Sequence, residues 1–382
     1  MKIKLSFFDI VLSGIIFNFA QLAVLRELNI VIRYSVFALL LLLMATRIRN
    51  HYFNVTVLIY SAIFLVFLNF INLYHIGEIS FLGISLNVIP IFLLLFSNTI
   101  NLSNEKKFYQ KIFFAHLFIL VFAFYKLTFL LIGADYILNE NEIACYSFII
   151  LGLLLLMVQL TGFRKLFWIW THIAVTFFIS TIMEARAIQF SCVFVSLIFF
   201  LTNYTSRFQI KSIKVFSILV IGLPLAIVIF IDELVDFYSH LIEDVLGIPA
   251  SVIKSELERF DMFSYVNHKI DNSYFGYGIG NTGYMKDISI SGLHSGSLDL
   301  IYWGGYLLFI IFHLFFIGII WEILRKNPRL IFGCFLVLYY LILQNYYEGL
   351  FFGNMGILIY ILSIMTTMIY KLKHLRNSYE KI

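Results

Sequence analysis

The feature that most constrains this chain is a succession of apolar runs, each about twenty residues long and separated by short polar breaks. A run of that length, wound as a helix, matches the hydrocarbon thickness of a bilayer. About twelve such runs can be placed, at roughly 5–25, 28–46, 53–74, 79–100, 112–133, 141–162, 166–183, 184–202, 214–231, 297–321, 330–346 and 350–370. The expected fold is therefore all-α: one polytopic transmembrane domain over 1–382. Spanning β-strands are excluded, because they read as alternating segments of about ten residues and nothing here alternates. Composition agrees. Of 382 residues, 61% are hydrophobic and 13% charged, whereas soluble domains carry about 25% charged residues. The 43 Phe and 23 Tyr suit lipid-facing surfaces and interfacial belts. Lys2 and Lys4 precede an apolar run with no small-residue cleavage site behind it, so a retained first span is expected.

The charges between the runs alternate. One set of loops holds Lys2 and Lys4, Arg47 and Arg49, Lys106 to Lys111, Arg164 and Lys165, Arg207 to Lys214, Arg325 to Arg329, and Lys371 to Lys381. It contains 19 of the 27 basic residues. The positive-inside rule assigns that set, and with it both termini, to the cytoplasm. The segment 232–293 then becomes one large external loop. Within it, Leu234, Phe237, Tyr238, Leu241, Ile242 and Val245 follow helical spacing, Asp232 and Glu233 suit a helix start, and a second helix is expected near 252–266.

Charged side chains at membrane depth are costly and face a bundle interior or a wet cavity. Outside the long loop, the external half keeps Arg26, Arg33, Lys126 and Arg186. Together they could form an outward cationic pocket for a phosphate-bearing lipid; snorkelling to the interface is the plain alternative. Arg186 stands in Met183-Glu184-Ala185-Arg186-Ala187, where two apolar runs nearly touch. Glu184, two residues away, would not share its helical face. His294, at the entrance of the span starting at 297, could hold or deprotonate a hydroxyl.

Several chemistries are not supported. Residues 278–283 match G-x-G-x-x-G, but a dinucleotide site needs a strand before and a helix after. Those glycines are read instead as letting a tight loop approach a ligand or the membrane surface. Cys145, Cys192 and Cys334 show neither a disulfide framework nor metal spacing. No cofactor, metal or nucleic-acid partner is expected. Transporters commonly show related halves and helices broken at the midplane; neither is visible here.

The order of residues over roughly 180–320 resembles the O-antigen polymerase and O-antigen ligase superfamily. The matching features are Arg186 at the outer end of a middle span, then Arg259 within the large loop. Gly276-Tyr277-Gly278-Ile279-Gly280 follows, then His294, and then a span opening Leu300-Ile301-Tyr302-Trp303-Gly304-Gly305. Ligases of this kind commonly show His-Asn where this chain has His294-Ser295, which leans toward polymerase. The resemblance implies a metal-independent, inverting glycosyltransferase of GT-C type in the bacterial inner membrane. Its donor and acceptor would be glycans on undecaprenyl pyrophosphate, and a chain-length regulator is a possible partner. Arg186 and Arg259 would bind the donor pyrophosphate and His294 the acceptor hydroxyl. Arg26, Arg33, Lys126, Gly278 and Gly280 would help bind substrate. Ligation to a lipid core and flipping of the lipid-linked glycan are the alternatives.

Overall fold

A computed structural model of the chain describes residues 55–75, 105–132, 140–161, 166–204, 210–240, 254–270, 273–279 and 295–346, with 364, 365, 368 and 369. Every described element is helical: α1 (Val55–Tyr74), α2 (Glu105–Ile132), α3 (Glu140–Thr161), α4 (Leu166–Ile182), α5 (Arg186–Tyr204), α6 (Ile210–Ile229), α7 (Ile231–His240), α8 (Lys254–Ile270), α9 (Gly296–Lys326) and α10 (Ile331–Tyr346). Three described helices are long and apolar enough to cross a membrane, and a fourth results if α6 and α7, bent by 77°, form one broken span. Four shorter apolar stretches, at 112–128, 166–182, 186–202 and 328–343, accompany them. The runs expected at 5–25, 28–46 and 79–100, and most of 350–370, lie outside the described residues.

The surface explains why lipid must surround this bundle. Phe114, Val121, Phe167, Trp170, Phe190, Ile218 and Phe230 are all exposed. Apolar side chains are repeatedly presented outward while the faces between helices are dry, which is the pattern of helices solvated by hydrocarbon. α3 is the most enclosed of the spans, buried along nearly its whole apolar length. It packs against α2, α4, α5 and α10, so neighbours rather than lipid cover its Leu-rich stretch. α9 is the second hub, in contact with α1, α6, α8 and α10.

Contacts fix which helix ends lie together. Phe199 meets Phe332, and Tyr339 donates to the Ser191 hydroxyl at 2.9 Å, so α5 and α10 run antiparallel. Gln159, near the end of α3, donates to the Arg329 carbonyl at 2.9 Å. The Lys214 ammonium lies 5.8 Å from the Trp321 ring. Lys214, Arg325, Lys326 and Arg329 thereby gather at one end of the bundle. Arg325 and Lys326 pair there with Glu322 at 2.9 and 2.6 Å. The end of α4, the start of α5 and the start of α9 occupy the opposite end.

The span expected at 297–321 appears as α9, Gly296–Lys326, and it is broken at Gly304 (φ −138°, ψ 19°) and Gly305 (φ 68°, ψ −178°). The part beyond the break, 306–326, is about 31 Å long and sufficient by itself to cross hydrocarbon. The part before it, from Gly296 to Trp303, is buried in protein. The cause is the segment 273–279. Its Tyr277 and Gly278 N–H groups donate to the carbonyls of Tyr302 and Trp303 at 2.9 and 3.0 Å. A break turns the following helical N–H groups away from those carbonyls, and the strap supplies replacements, as burial requires. Gly276 (φ 67°) makes the approach possible: a Cβ there would stand 2.5 Å from the Tyr302 oxygen.

The helices expected around 234–245 and 252–266 appear as α7 and α8. α8 is described from Lys254, where the described residues resume, and runs on to Ile270; α7 is described as far as His240. α8 packs on α6, α7 and α9, and Tyr306 donates to Asn267 at 3.1 Å.

Candidate functional site

The candidate site is built where α4 gives way to α5. α4 ends in a Schellman turn: the Glu184 N–H donates to the Thr181 carbonyl at 3.1 Å and the Ala185 N–H to the Ser180 carbonyl at 3.0 Å. This turn demands a left-handed residue, and Glu184 takes that role with φ 56°. Glycine would do so without strain, whereas an L-residue costs about 1–2 kcal/mol. The turn reverses the chain at once, so α5 begins at Arg186. The side chain of Arg186 is exposed, and among the described residues it has no ion-pair partner.

Lys126 arrives from α2. Its side chain is 2% exposed and its ammonium stands 3.4 Å from the Glu184 carboxylate, which is itself 76% exposed. A buried ammonium in an apolar bundle needs a counter-charge, and the strained turn delivers one at the rim. Lys126, one of the expected cations, thus meets the Glu184 carboxylate at the end of the bundle where Arg186, another, opens α5. Sequence spacing excluded a local Glu184–Arg186 pair and did not reveal Glu184–Lys126, whose partners are 58 residues apart.

The remaining expected site residues fall as follows. Position 259 lies on α8, packed against α6, α7 and α9. Gly278 spends its N–H on Trp303, so the close approach these glycines permit is to a helix backbone. Arg26, Arg33, Gly280 and His294 lie outside the described residues. Ser295, next to His294, caps α9: its hydroxyl accepts from the Leu298 N–H at 3.4 Å and meets the Ser297 hydroxyl at 2.8 Å. Asp299 is buried in that first turn, on the helix end that favours an anion. Aromatic rings line the same region. Tyr277 stacks on Tyr302 with centroids 5.0 Å apart, and the Tyr265 ring lies 6.4 Å from Tyr302.

A second polar cluster went unnoticed in the sequence. His116 of α2 and His172 of α4 meet through their Nδ1 atoms inside the bundle. The His116 Nε2–H donates to the Ser147 carbonyl at 3.0 Å, with the Thr176 and Ser147 hydroxyls 3.3 and 3.4 Å away. That wiring assigns the proton: His116 Nδ1 accepts and His172 Nδ1–H donates. The Ser147 hydroxyl donates to Thr176 at 3.2 Å, and Thr176 to the Ser147 carbonyl at 3.4 Å. His172 sits about 9 Å from one end of α4 and about 15 Å from the other. This is a neutral network near mid-bundle that knits α2, α3 and α4. Two histidines in separate helices give no local spacing signal, which is why sequence reading passed over them.

Among the described residues no three His, Cys, Asp or Glu side chains gather as a metal site. Comparison of the chain with protein-family models, with curated proteins and with solved structures finds no match.

Proposed function

We propose that this chain is a polysaccharide polymerase of about twelve spans and GT-C-like architecture. In this reading it joins undecaprenyl-pyrophosphate-linked repeat units at the outer face of a bacterial cytoplasmic membrane, with both termini inside. The observation that carries the reading is a cationic rim, with exposed Arg186 opening α5 two residues after Glu184, the carboxylate that meets buried Lys126. It lies at the bundle end where α9 begins and where His294 joins the chain.

The chemistry follows from those groups. An acceptor sugar hydroxyl attacks the anomeric carbon, the glycosyl–phosphate bond breaks, and lipid pyrophosphate leaves with the bonding electrons. Guanidinium groups grip such a leaving group bidentately and stabilise charge that grows in the transition state. His294 takes the acceptor proton. Arg186 and Arg259 hold the donor. No nucleotide is needed, since the glycosyl phosphate is already activated.

A flippase is the second reading, favoured by the break in α9, because broken helices often hold transported ligands. Two details weigh against it. The break lies at one boundary of the span rather than its middle, and the Tyr302 and Trp303 carbonyls are occupied by the strap. A ligase differs from a polymerase only in the acceptor.

Deletion and complementation test the reading through surface glycan. Loss of the ladder with one attached repeat unit is the polymerase outcome; loss of all attached glycan points to ligase or flippase. Complementation with Arg186→Ala or Arg186→Lys, at matched protein level, should give similarly little polymer, because an ammonium lacks the bidentate fork. His294→Ala should reduce chain extension by about 10²–10⁴ in rate while the protein still inserts. A normal ladder from His294→Ala removes the histidine from the mechanism.

A further inference from the structure

We infer that the strap 273–279 is a lipid-contacting surface. Its Tyr274 and Phe275, with Tyr74 at the end of α1, lie among the headgroups of one leaflet, and the break in α9 marks the edge of the hydrocarbon. The inference goes beyond the proposed function and needs only that α1 and α9 cross a bilayer.

Three helices reach one level. α1 runs antiparallel to α9: a Cβ on Gly318 would stand 2.6 Å from the Tyr60 ring, and one on Gly304 would stand 3.0 Å from Ile71. Between these points Phe64 stacks on Phe315 with centroids 4.9 Å apart. Tyr74 closes α1 and so lies at the height of the break. α6 gives the same level by a separate route. The Lys214 ammonium lies 5.8 Å from the Trp321 ring. About 24 Å of helix separates Lys214 from Phe230, where α6 bends by 77° into α7, and the same length separates Trp321 from Gly305. α8 joins the two ends: Ser264 donates to Asp232 at 3.1 Å, and the neighbouring Tyr265 ring lies 6.4 Å from Tyr302.

Side chains change character at this level. On one side of it, Ile63 and Val66 of α1, Ile218 and Leu223 of α6, and Leu307 and Leu314 of α9 are apolar and exposed. On the other, α7 exposes Asp232, Glu233 and Asp236, and α8 exposes Asp261 and His268. From Gly305 to the exposed Arg325 and Lys326 is about 30 Å of helix, the thickness of the hydrocarbon.

The level itself is aromatic. Tyr274 is 92% exposed and Tyr74 59%. The Phe275 ring lies 5.0 Å from that of Tyr74 and 5.5 Å from that of Phe70, one turn deeper. Tyrosine suits the interface because its ring is apolar and its hydroxyl can bond a phosphate or ester oxygen. The strap also holds protein, since Tyr277 and Gly278 bond the α9 carbonyls. It thus ties the break to the membrane surface. Gly296–Trp303, with buried Asp299, then stands outside the hydrocarbon, where a carboxylate costs less.

The test uses wild-type protein in phosphatidylcholine nanodiscs. These are photolysed with a diazirine carried either on the headgroup or at the end of an acyl chain, and adducts are mapped by peptide mass spectrometry. The strap and Tyr74 should react with the headgroup probe and Leu314 with the chain probe. Modification of the strap chiefly by the chain probe, or by neither probe while Leu314 reacts, overturns the inference. If Leu314 escapes the chain probe, α9 does not cross lipid at this level and the inference falls with it.

Spin labels on Tyr74→Cys, Leu314→Cys and Asp261→Cys read depth independently; Cys145, Cys192 and Cys334 are buried, which keeps them from the label. Relaxation by oxygen should be greatest at position 314 and relaxation by a water-soluble nickel chelate greatest at position 261, with position 74 between the two. A label at 74 as open to oxygen as that at 314, or as open to nickel as that at 261, also overturns it. Neither readout depends on the glycan ladder, so this inference and the polymerase reading fail separately.

Discussion

Two interruptions of helix stand at the same end of this bundle, and they are built oppositely. The break in α9 uses glycines, and the chain itself takes up two of the carbonyls it frees: Tyr277 and Gly278 bond the Tyr302 and Trp303 carbonyls. The reversal between α4 and α5 uses a strained glutamate and presents two charges of unlike burial at the rim. The first spends glycine to close a structure. The second spends conformational strain to keep a charge available. Helix interruption in a membrane protein is therefore not by itself a sign of a binding site; what matters is whether the freed groups are left for a ligand.

The largest effect should come from Gly305→Ala. A Cβ there would stand 2.1 Å from the Tyr274 carbonyl oxygen, and φ 68° with ψ −178° is a region essentially confined to glycine. The variant should yield no monodisperse protein in detergent. Gly222→Ala is the matched control, since its Cβ would meet nothing nearer than 3.9 Å. Well-folded Gly305→Ala would show that the strap does not fix the break.

A middle-sized effect is expected at the neutral cluster, which separates structural polarity from charge at the rim. His116→Leu leaves the His172 Nδ1–H without its partner, at a cost of about 1–3 kcal/mol. His116→Leu with His172→Leu removes both rings and should recover part of that loss. Thermal unfolding in detergent reads both, and polymer yield per folded molecule should hold. A loss of yield with unchanged stability would move this cluster into the mechanism.

The smallest effect concerns Glu184 itself. Glu184→Gly and Glu184→Ala both lose the carboxylate, but only alanine keeps the left-handed penalty. The glycine variant should be more stable by about 1–2 kcal/mol. Equal melting temperatures would mean that the turn relaxes and stores no strain.

The sequence made the helical membrane class legible, because hydropathy is a property of composition along the chain and needs no partner. The near-contact of two runs at Met183 to Arg186 was also legible, and it appears as separate α4 and α5. What could not be read were relations between distant residues. Lys126 meets Glu184 only after α2 and α4 pack, and the same is true of His116 and His172. The break at Gly304–Gly305 was hidden for a different reason: a pair of glycines inside an apolar run lowers hydropathy very little. Its cause lies in a strap that precedes α9 along the chain. Of the site, Arg186 and Lys126 were visible as isolated cations, and the Glu184 carboxylate that meets Lys126 was assigned no part.

The strap has a consequence for how the protein is made. Gly296–Trp303 carries carbonyls that its own helix cannot satisfy, and Tyr302 and Trp303 are nearly sealed from solvent. That stretch is not a self-sufficient unit. The segment holding Tyr277 and Gly278 is synthesised first, and His75, which directly follows α1 and whose ring nitrogen bonds the Phe275 carbonyl at 3.1 Å, much earlier. The partners of the break are therefore already present when α9 leaves the ribosome. Residues 306–326 can partition into lipid alone, and the turn above them then docks on a surface that is waiting for it. A chain permuted to begin at Ser295 would reverse that order and emit α9 with its break unserved.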